Sequence, residues 1–340
     1  MRINDLGILE YYTKSKGING DVKVVPDDFV VEEITPQGKV CRVNYSFKQR
    51  VNDYFFKFRT RKNFVRATLV KNDLTTMKCV RILEKSFGRV GYAGIKDKRA
   101  ITAQRVSFYS KKFSQVKGKD FFLKDFEYNH NRIAPGNLKG NIFSIRVKNS
   151  SKSVQNFVDE LVINKMFLPN FFGEQRFGIE KNTHKIGLFL VRKEFDKAGE
   201  ELVRSNGFFE KKFRKHSDDS VKAFRLLGNR ILTFYVHALQ SYIFNNALSE
   251  MIISGEEEKR LSLPGFRSRP CKFVKHQLNN LNIATNDFNI NELGVKAAGF
   301  ERKSFMRVND LKTFEKKDLE LNFRLDKGCY ASIILNELCK

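Results

Sequence analysis

The order of apolar and polar residues changes its period several times along the 340-residue chain. Strands are predicted where β-branched and aromatic residues cluster or alternate with polar ones, namely in residues 22–34, 53–62, 141–149 and 318–325. Pro26 interrupts the first of these segments. In the last, Leu319, Leu321, Phe323 and Leu325 all fall on one face, as a half-buried strand requires.

Helical spacing dominates other segments. In residues 75–87, Val80, Leu83 and Phe87 recur at helical intervals, and Gly88 provides a stop. Ser153 can cap a helix whose buried face comprises Val154, Phe157, Val158 and Leu161. The longest such pattern lies in residues 230–253 and ends before Gly255; its apolar positions are Leu232, Val236, Leu239, Ile243 and Ala247.

The distribution of these elements predicts two domains. Strands with interspersed helices extend to about Gly187, which is typical of an α+β domain. The next segment is mainly helical, and the last 35 residues return to a strand followed by a short closing helix. We therefore expect one domain, formed by residues 1–186 and 304–340, to be interrupted by an inserted helical domain at 187–303.

The net charge of the chain indicates which class of partner it binds. The chain carries 63 Lys and Arg against 38 Asp and Glu, a formal net charge of +25, which favours nucleic acid or an acidic membrane surface. No apolar run approaches the roughly 18 residues needed to cross a bilayer, and no basic amphipathic helix or lipidation motif indicates a membrane partner. The five Cys are scattered, odd in number and never in a C-x-x-C pair, which predicts a cytoplasmic protein without structural zinc.

Familiar cofactor and nucleophile motifs are absent. The sequence contains no P-loop, dinucleotide fingerprint, G-x-S-x-G elbow or H-E-x-x-H pair, which favours a reaction without cofactor or metal. The most distinctive carboxylate is Asp97 in "YAGIKDKRAITAQ", a predicted loop between two strands. Residues 81–120 contain 11 Lys and Arg against 3 Asp and Glu. These cations can favour an ionised nucleophile and hold nearby phosphates, although an Asp between lysines is also a common solvated loop residue.

Two further segments leave alternatives open. "LPNFFGEQRFG", residues 168–178, can expose a Phe for stacking while Asn170 bonds a base edge, or can form a Phe-lined turn that packs on the core. Residues 130–143 suit either a basic loop or an ordinary hairpin turn. Glu32 and Glu33 are expected to be solvated charges at the end of a strand rather than a catalytic pair.

Several ordered motifs resemble one family. "GYAGIKDKRAITAQ" is similar to the G-x-K-D-x-x-A-x-T-x-Q signature of the TruD family of tRNA pseudouridine synthases. Further matches follow in the family's order, from residue 26 to residue 338: "PDDFVVEEI", "GNLKGNIFSIRV", "PNFFGEQRFG", "HALQSYIFN" and "GCYASIILNEL". The early "LGILEYYTKSKGINGDVKVVPDDF" resembles the archaeal-type branch of the family.

The resemblance implies a fold and an activity. The family has a pseudouridine-synthase catalytic domain, α+β around a central mixed sheet, interrupted by a mainly helical TRUD domain. It isomerises a uridine in tRNA to pseudouridine without cofactor or metal. Asp97 matches the catalytic nucleophile. Residues that match substrate-binding positions are Phe29, Lys96, Asn170, Phe172 and Tyr330, the last with Tyr in place of the usual Phe.

The implied substrate is uridine 13 in the D arm, and archaeal-type relatives also modify position 35. We expect a monomer that acts on tRNA without a membrane or metal partner. The competing hypothesis is a catalytically inactive RNA-binding or tRNA-chaperone protein of the same fold. The intact lysine–aspartate motif argues against it, because a pure binder gains nothing from an anion among phosphates.

Overall fold

The structure, a computed structural model, describes the whole chain except residues 1–2, 57, 59, 113–117, 151–152, 179 and 205–206. Its strands in chain order are β1 (Asp21–Val22), β2 (Phe29–Ile34), β3 (Thr60–Asn72), β4 (Gly91–Tyr92), β5 (Ile101–Lys112), β6 (Phe121–Asn129), β7 (Gly140–Lys148), β8 (Phe167–Pro169), β9 (Arg260–Leu263), β10 (Asn289–Ile290), β11 (Val295–Lys296), β12 (Phe300–Lys303), β13 (Phe305–Arg307), β14 (Asn309–Glu315) and β15 (Leu319–Asp326). Its α-helices are α1 (Phe47–Phe56), α2 (Thr76–Phe87), α3 (Gln155–Ile163), α4 (Thr183–Val191), α5 (Phe195–Leu202), α6 (Phe208–Arg214), α7 (Ser220–Leu227), α8 (Asn229–Ile253), α9 (Lys272–Asn280) and α10 (Ala331–Leu338).

The chain divides into two compact units. The sheet unit consists of Ser15–Met166, Arg307–Ala331 and Leu338–Lys340. The helical unit consists of Phe167–Met306 together with Ser332–Glu337 and a segment near the start of the chain that ends at Lys14. The sheet unit thus contains chain from both sides of the helical unit.

The helical unit begins 20 residues before the limit of 187 expected for the insertion. The reason is contacts between segments distant in sequence: β8 pairs with β13, and α4 packs along α8. Its upper boundary, Met306, lies three residues beyond the expected 303. Residues 167–186 belong to the compact helical unit. The limits of 187 and 303 for the inserted domain stay a prediction.

The sheet unit is built on a mixed sheet, as the fold class requires. Its strand order is β14-β15-β7-β2-β5-β3-β6, with β1 added to β7 and β4 to β5. The β2–β5 pair is parallel, and the remaining pairs of this sheet are antiparallel. Alternation along β7 and β15 buries one face of each strand, including Phe143 and Phe323, whose rings stack with centroids 5.3 Å apart.

Most elements expected from the sequence pattern are confirmed. Thr75 caps α2 by accepting a hydrogen bond from the Lys78 backbone N–H, and Gly88 ends this helix with a positive φ. The five apolar positions expected to be buried in α8 are all buried. Between β1 and β2, Pro26 begins a short 3-10 helix, Pro26–Asp28. The residue that precedes α3 is Val154. Ser153, one position earlier, accepts a hydrogen bond from the Gln155 N–H.

The strand predicted for residues 53–62 is wrong at its start and confirmed only from Thr60. Residues 53–56 belong to α1, and β3 begins only at Thr60. Buried Asp53 holds the helix against β6, since its carboxylate accepts hydrogen bonds from the backbone N–H groups of Asp125 and Phe126 at 2.9 and 3.1 Å. Phe56 packs on Tyr128 with ring centroids 4.7 Å apart. These tertiary contacts override the strand preference of an aromatic run.

Candidate active site

The motif loop that carries Asp97 lies between β4 and β5, as expected, and several side chains fix its backbone. The Lys71 ammonium donates to the carbonyl oxygen of Asp97 at 2.5 Å. The Gln104 amide donates to the Gly94 carbonyl at 2.8 Å, and the Thr76 hydroxyl accepts from the Lys96 N–H at 3.0 Å. The loop is therefore held at three points by side chains from β3, β5 and α2.

The carboxylate of Asp97 is paired with a lysine that is distant in sequence. Its Oδ2 lies 3.1 Å from Nζ of Lys23, and the Asp97 side chain keeps 19% of its surface exposed. The same Nζ lies 4.0 Å from the ring centroid of buried Phe29. Lys98 and Arg99, which follow Asp97, are exposed. The loop thus presents a partly accessible carboxylate beside an ammonium group and an aromatic ring.

Lys96 points away from solvent. Its Nζ lies 2.9 Å from Glu33 Oε2 and donates to Asn141 Oδ1 at 2.6 Å, and its side chain is only 7% exposed. The other carboxylate oxygen of Glu33 accepts from the Arg105 backbone N–H at 3.1 Å. This buried pair links the motif loop to β2 and β7. The ammonium group of Lys96 is therefore oriented by protein contacts.

The expectation that Glu32 and Glu33 are solvated strand-end charges is wrong. Both are buried within β2. Glu32 accepts from Arg42 at 2.7 Å and from the Val43 N–H at 2.8 Å. β2 lies between β5 and β7 in the sheet, and each buried carboxylate requires a fixed partner.

Lys23 and Lys71 are two site residues that the sequence motifs do not mark. Lys71 is 1% exposed; burial lowers its pKa to about 8, against the opposing influence of Cys79 and Asp97. A lysine inside a buried strand was the available signal for Lys71. Lys23 had no local signal, since it lies 74 residues from its partner.

Tyr330 belongs to the sheet unit as well. It is half-buried and lies in the turn between β15 and α10. Four of the six predicted site residues, Asp97, Phe29, Lys96 and Tyr330, therefore share this unit. Asp97 and Phe29 meet through Lys23, whereas the Lys96 side chain extends to Glu33.

Asn170 and Phe172 lie in the helical unit. The Asn170 side chain accepts from the Arg302 guanidinium at 2.6 Å and donates to the Lys303 carbonyl at 3.0 Å. Phe172 is buried against Phe244, and the Arg302 guanidinium carbon lies 4.1 Å from its ring centroid. Of the two alternatives for residues 168–178, the observed contacts match the turn that packs on the core. Contact with a substrate stays a prediction.

Two general features accompany this site. In the part of the chain that the structure describes, no group of three or more His, Cys, Asp or Glu side chains is placed to hold a metal ion. Among the described helices, none combines the length and the apolar character needed to cross a bilayer.

Known proteins resemble this chain in sequence and in fold. The sequence profile of the family described as tRNA pseudouridine synthase D (TruD) matches residues 5–212, 209–265 and 262–338. A protein named probable tRNA pseudouridine synthase D 1 from Methanocaldococcus jannaschii is 29% identical, covering 94% of this chain and 95% of that protein. The probable tRNA pseudouridine synthase D of Methanococcus vannielii is 28% identical, with 98% of each chain covered.

The same name is given to a protein from Pyrococcus furiosus that is 30% identical over 76% of this chain and 68% of its own length. The fold is that of the crystal structure of a TruD from Methanosarcina mazei, described as a putative tRNA pseudouridine synthase D. That chain has a TM-score of 0.70 and 22% identity, with 99% of this chain and 97% of that chain covered. The family profile spans nearly the whole sequence, and the chain belongs to the TruD family of tRNA pseudouridine synthases.

Proposed function

We propose that this protein isomerises a specific uridine of tRNA to pseudouridine, with Asp97 as the catalytic nucleophile. The observation that carries the proposal is the accessibility of Asp97 beside Lys23 and Phe29. Neighbouring carboxylates such as Asp28 and Glu33 are fully buried and bonded to cations. Asp97 is therefore suited to act on a bound molecule, while the others maintain the sheet.

The chemistry needs no co-reactant. The N1–C1′ bond of the uridine breaks, the base turns, and a C5–C1′ bond forms; C5 loses a proton and N1 gains one. Substrate and product contain the same atoms. Asp97 assists the bond cleavage, and its fixed backbone supports this role because the reacting group must be held in position.

The remaining residues receive distinct roles. Lys23 orients the Asp97 carboxylate and adds positive charge near the phosphates of the bound RNA. Lys96 and Lys71 are positioning residues, since both contact the protein rather than solvent. Phe29 and Tyr330 are proposed to contact the flipped nucleotide. For Asn170 and Phe172, substrate contact is proposed from the family motif alone. Flipping costs a few kcal/mol, which aromatic and cationic contacts offset.

We propose uridine 13 of the D arm as the target, with position 35 as the second site to test. The family assignment supports tRNA as the substrate class, and the +25 charge supports a polyanionic partner. None of the described cysteines forms a disulfide, which is compatible with action in the cytoplasm.

The decisive experiment compares wild type with Asp97→Asn on unmodified tRNA transcripts. Pseudouridine is mapped by carbodiimide treatment and primer extension, with transcripts that carry cytidine at position 13 or 35 as substrate controls. Asp97→Asn keeps the side-chain shape but removes the charge, and we expect no product above background.

The matched control is Asp310→Asn, which removes a charge from an exposed side chain of the same unit at a positive φ that Asn tolerates. This variant is expected to retain full activity. Product formation by Asp97→Asn at the wild-type rate contradicts the nucleophile assignment. Tight, salt-sensitive tRNA binding by wild type without product favours the inactive RNA-binding alternative.

A further inference from the structure

Helix α1 in the sheet unit exposes an apolar stripe. Phe47, Val51, Tyr54 and Phe55 are all exposed, as is Phe58, two residues beyond the last residue of the helix. Their spacing of three, four and seven residues places them on one face of the helix. Phe47 and Phe58 expose 82% and 69% of their surface. A continuous row of exposed large apolar side chains is typical of an interaction surface.

The opposite face of α1 is firmly anchored, so the stripe is directed outward by packing. Asp53 and Phe56 are buried against β6. On the stripe, Tyr54 and Phe58 meet edge to face, with ring centroids 5.5 Å apart. The rings are therefore held in an ordered group on the surface of the unit.

A cavity of about 830 Å³ adjoins the stripe and shares Tyr54 with it. Its walls include Tyr45, Phe122 and Ile101, with the cation Arg50; the carboxylates Asp53 and Asp120 also line it. Tyr45 and Phe122 stack with ring centroids 5.8 Å apart. A mainly apolar wall with aromatic rings and polar groups at this volume is typical of a site for an organic ligand.

The cavity lies close to the Asp97 loop. Ile101, in its wall, follows Asp97 by four residues, a distance of at most about 14 Å along an extended chain. Lys71 lines the same cavity and donates to the Asp97 carbonyl. An RNA segment bound at Asp97 can therefore extend to this cavity.

Charge indicates the class of partner. Residues 42–72 contain nine Lys and Arg against one acidic residue, Asp53, a balance of +8. Asp53 is buried and bonded to Tyr45 and the β6 backbone, and Arg42 pairs with Glu32, whereas Lys48 and Arg50 are exposed. Exposed rings among exposed cations match a polyanion that has π-faces.

We propose that the α1 stripe and its cavity form an RNA-binding surface, separate from the Asp97 site, that stacks unpaired bases of the tRNA next to the target uridine. Aromatic rings bind the base faces, and Arg50 and Lys48 neutralise phosphates. This rests on the proposed tRNA substrate. The surface holds single-stranded RNA in preference to duplex, because stacking requires bases that are not already paired.

The test measures RNA affinity by fluorescence anisotropy with full-length protein. The probes are an unmodified tRNA transcript, a short oligouridylate and an RNA duplex of the same length. The variants are Tyr54→Ala and Phe58→Ala, with Tyr54→Phe to retain the ring. The control is Phe208→Ala, which removes an exposed ring on α6 in the helical unit.

Each alanine variant is expected to weaken oligouridylate and tRNA binding by at least about fivefold, the lower end for loss of one base–ring stack. Tyr54→Phe and Phe208→Ala are expected to bind within twofold of wild type. Arg50→Gln is expected to reduce the slope of log K against log salt by about 0.7 for the oligonucleotide, corresponding to one phosphate.

Unchanged oligouridylate affinity in both alanine variants overturns the proposal, as does an equal loss for duplex. Two other occupants are checked directly: loss of self-association in light scattering identifies a second copy, and loss of flotation with phosphatidylcholine–phosphatidylserine vesicles identifies a membrane surface. Either of these two results, with RNA affinity unchanged, overturns the proposal of an RNA-binding surface. Because binding is measured apart from pseudouridine formation, an inactive wild type whose stripe variants still lose RNA affinity refutes only the proposed function.

Discussion

The buried pair between Glu33 and Lys96 offers a quantitative test of how the motif loop is held. Lys96→Met and Glu33→Gln remove the charges one at a time, and the double variant removes both. Each single change leaves an uncompensated charge in a site where Lys96 is 7% and Glu33 0% exposed. The hydrogen bonds from Arg105 and to Asn141 remain as partial compensation.

At an effective dielectric constant of 20, unit charges 2.9 Å apart attract by about 6 kcal/mol. Desolvation of the two ions offsets most of this energy, so the intact pair contributes little net stability. Breaking it is different, because the remaining ion stays desolvated. We expect each single variant to lose about 3–5 kcal/mol of unfolding free energy. The double variant should lose less than the sum, by about 1.5 kcal/mol or more.

Urea unfolding followed by circular dichroism gives the four free energies of the cycle. The control cycle uses Lys193→Met and Glu292→Gln, a pair 2.7 Å apart whose side chains are 49% and 37% exposed. Its coupling energy is expected below about 1 kcal/mol. Two results contradict the expectation that burial makes the Glu33–Lys96 contact important for stability. In the first, the losses of unfolding free energy in the two single variants add up to the loss in the double variant within about 0.5 kcal/mol. In the second, the coupling energy equals that of the exposed pair.

Three further predictions concern buried groups. Because burial holds the pKa of Lys71 at about 8 against an ordinary 10.5, the unfolded chain binds the extra proton between these values and stability rises by roughly 3 kcal/mol across that pH range; urea titrations should show no such rise for Lys71→Met. Burial, with Lys185, lowers the pKa of His184 to about 4 from 6.5, so stability should fall by roughly 3 kcal/mol as pH drops from 6.5 to 4, and His184→Phe should remove this loss. Phe172→Ala should cost about 3–5 kcal/mol in urea unfolding, whereas the exposed Phe208→Ala should change stability by less than about 0.5 kcal/mol.

Local sequence patterns predicted many elements of this fold. The alternation of β15, the apolar positions of α8 and the helix α2 with its Gly88 stop could all be predicted, because each depends on residues within a few positions of one another. The motif around Asp97 marked the loop for the same reason. Residues 53–56, three of which are aromatic, favoured a strand, whereas they form a helix that is stabilised by contacts with β6, a strand distant in sequence.

The candidate site itself depended on the sheet. Parallel pairing of β2 with β5 brings Glu33 to the Arg105 N–H, 72 residues away, and so buries a carboxylate that looked solvated. The same assembly brings Lys23 to Asp97 and sends Lys71 beneath it. The sequence by itself determined which carboxylate stands in the motif loop. Only the tertiary structure decided which cation pairs with it, because strand order and register set distances between residues that share no local pattern.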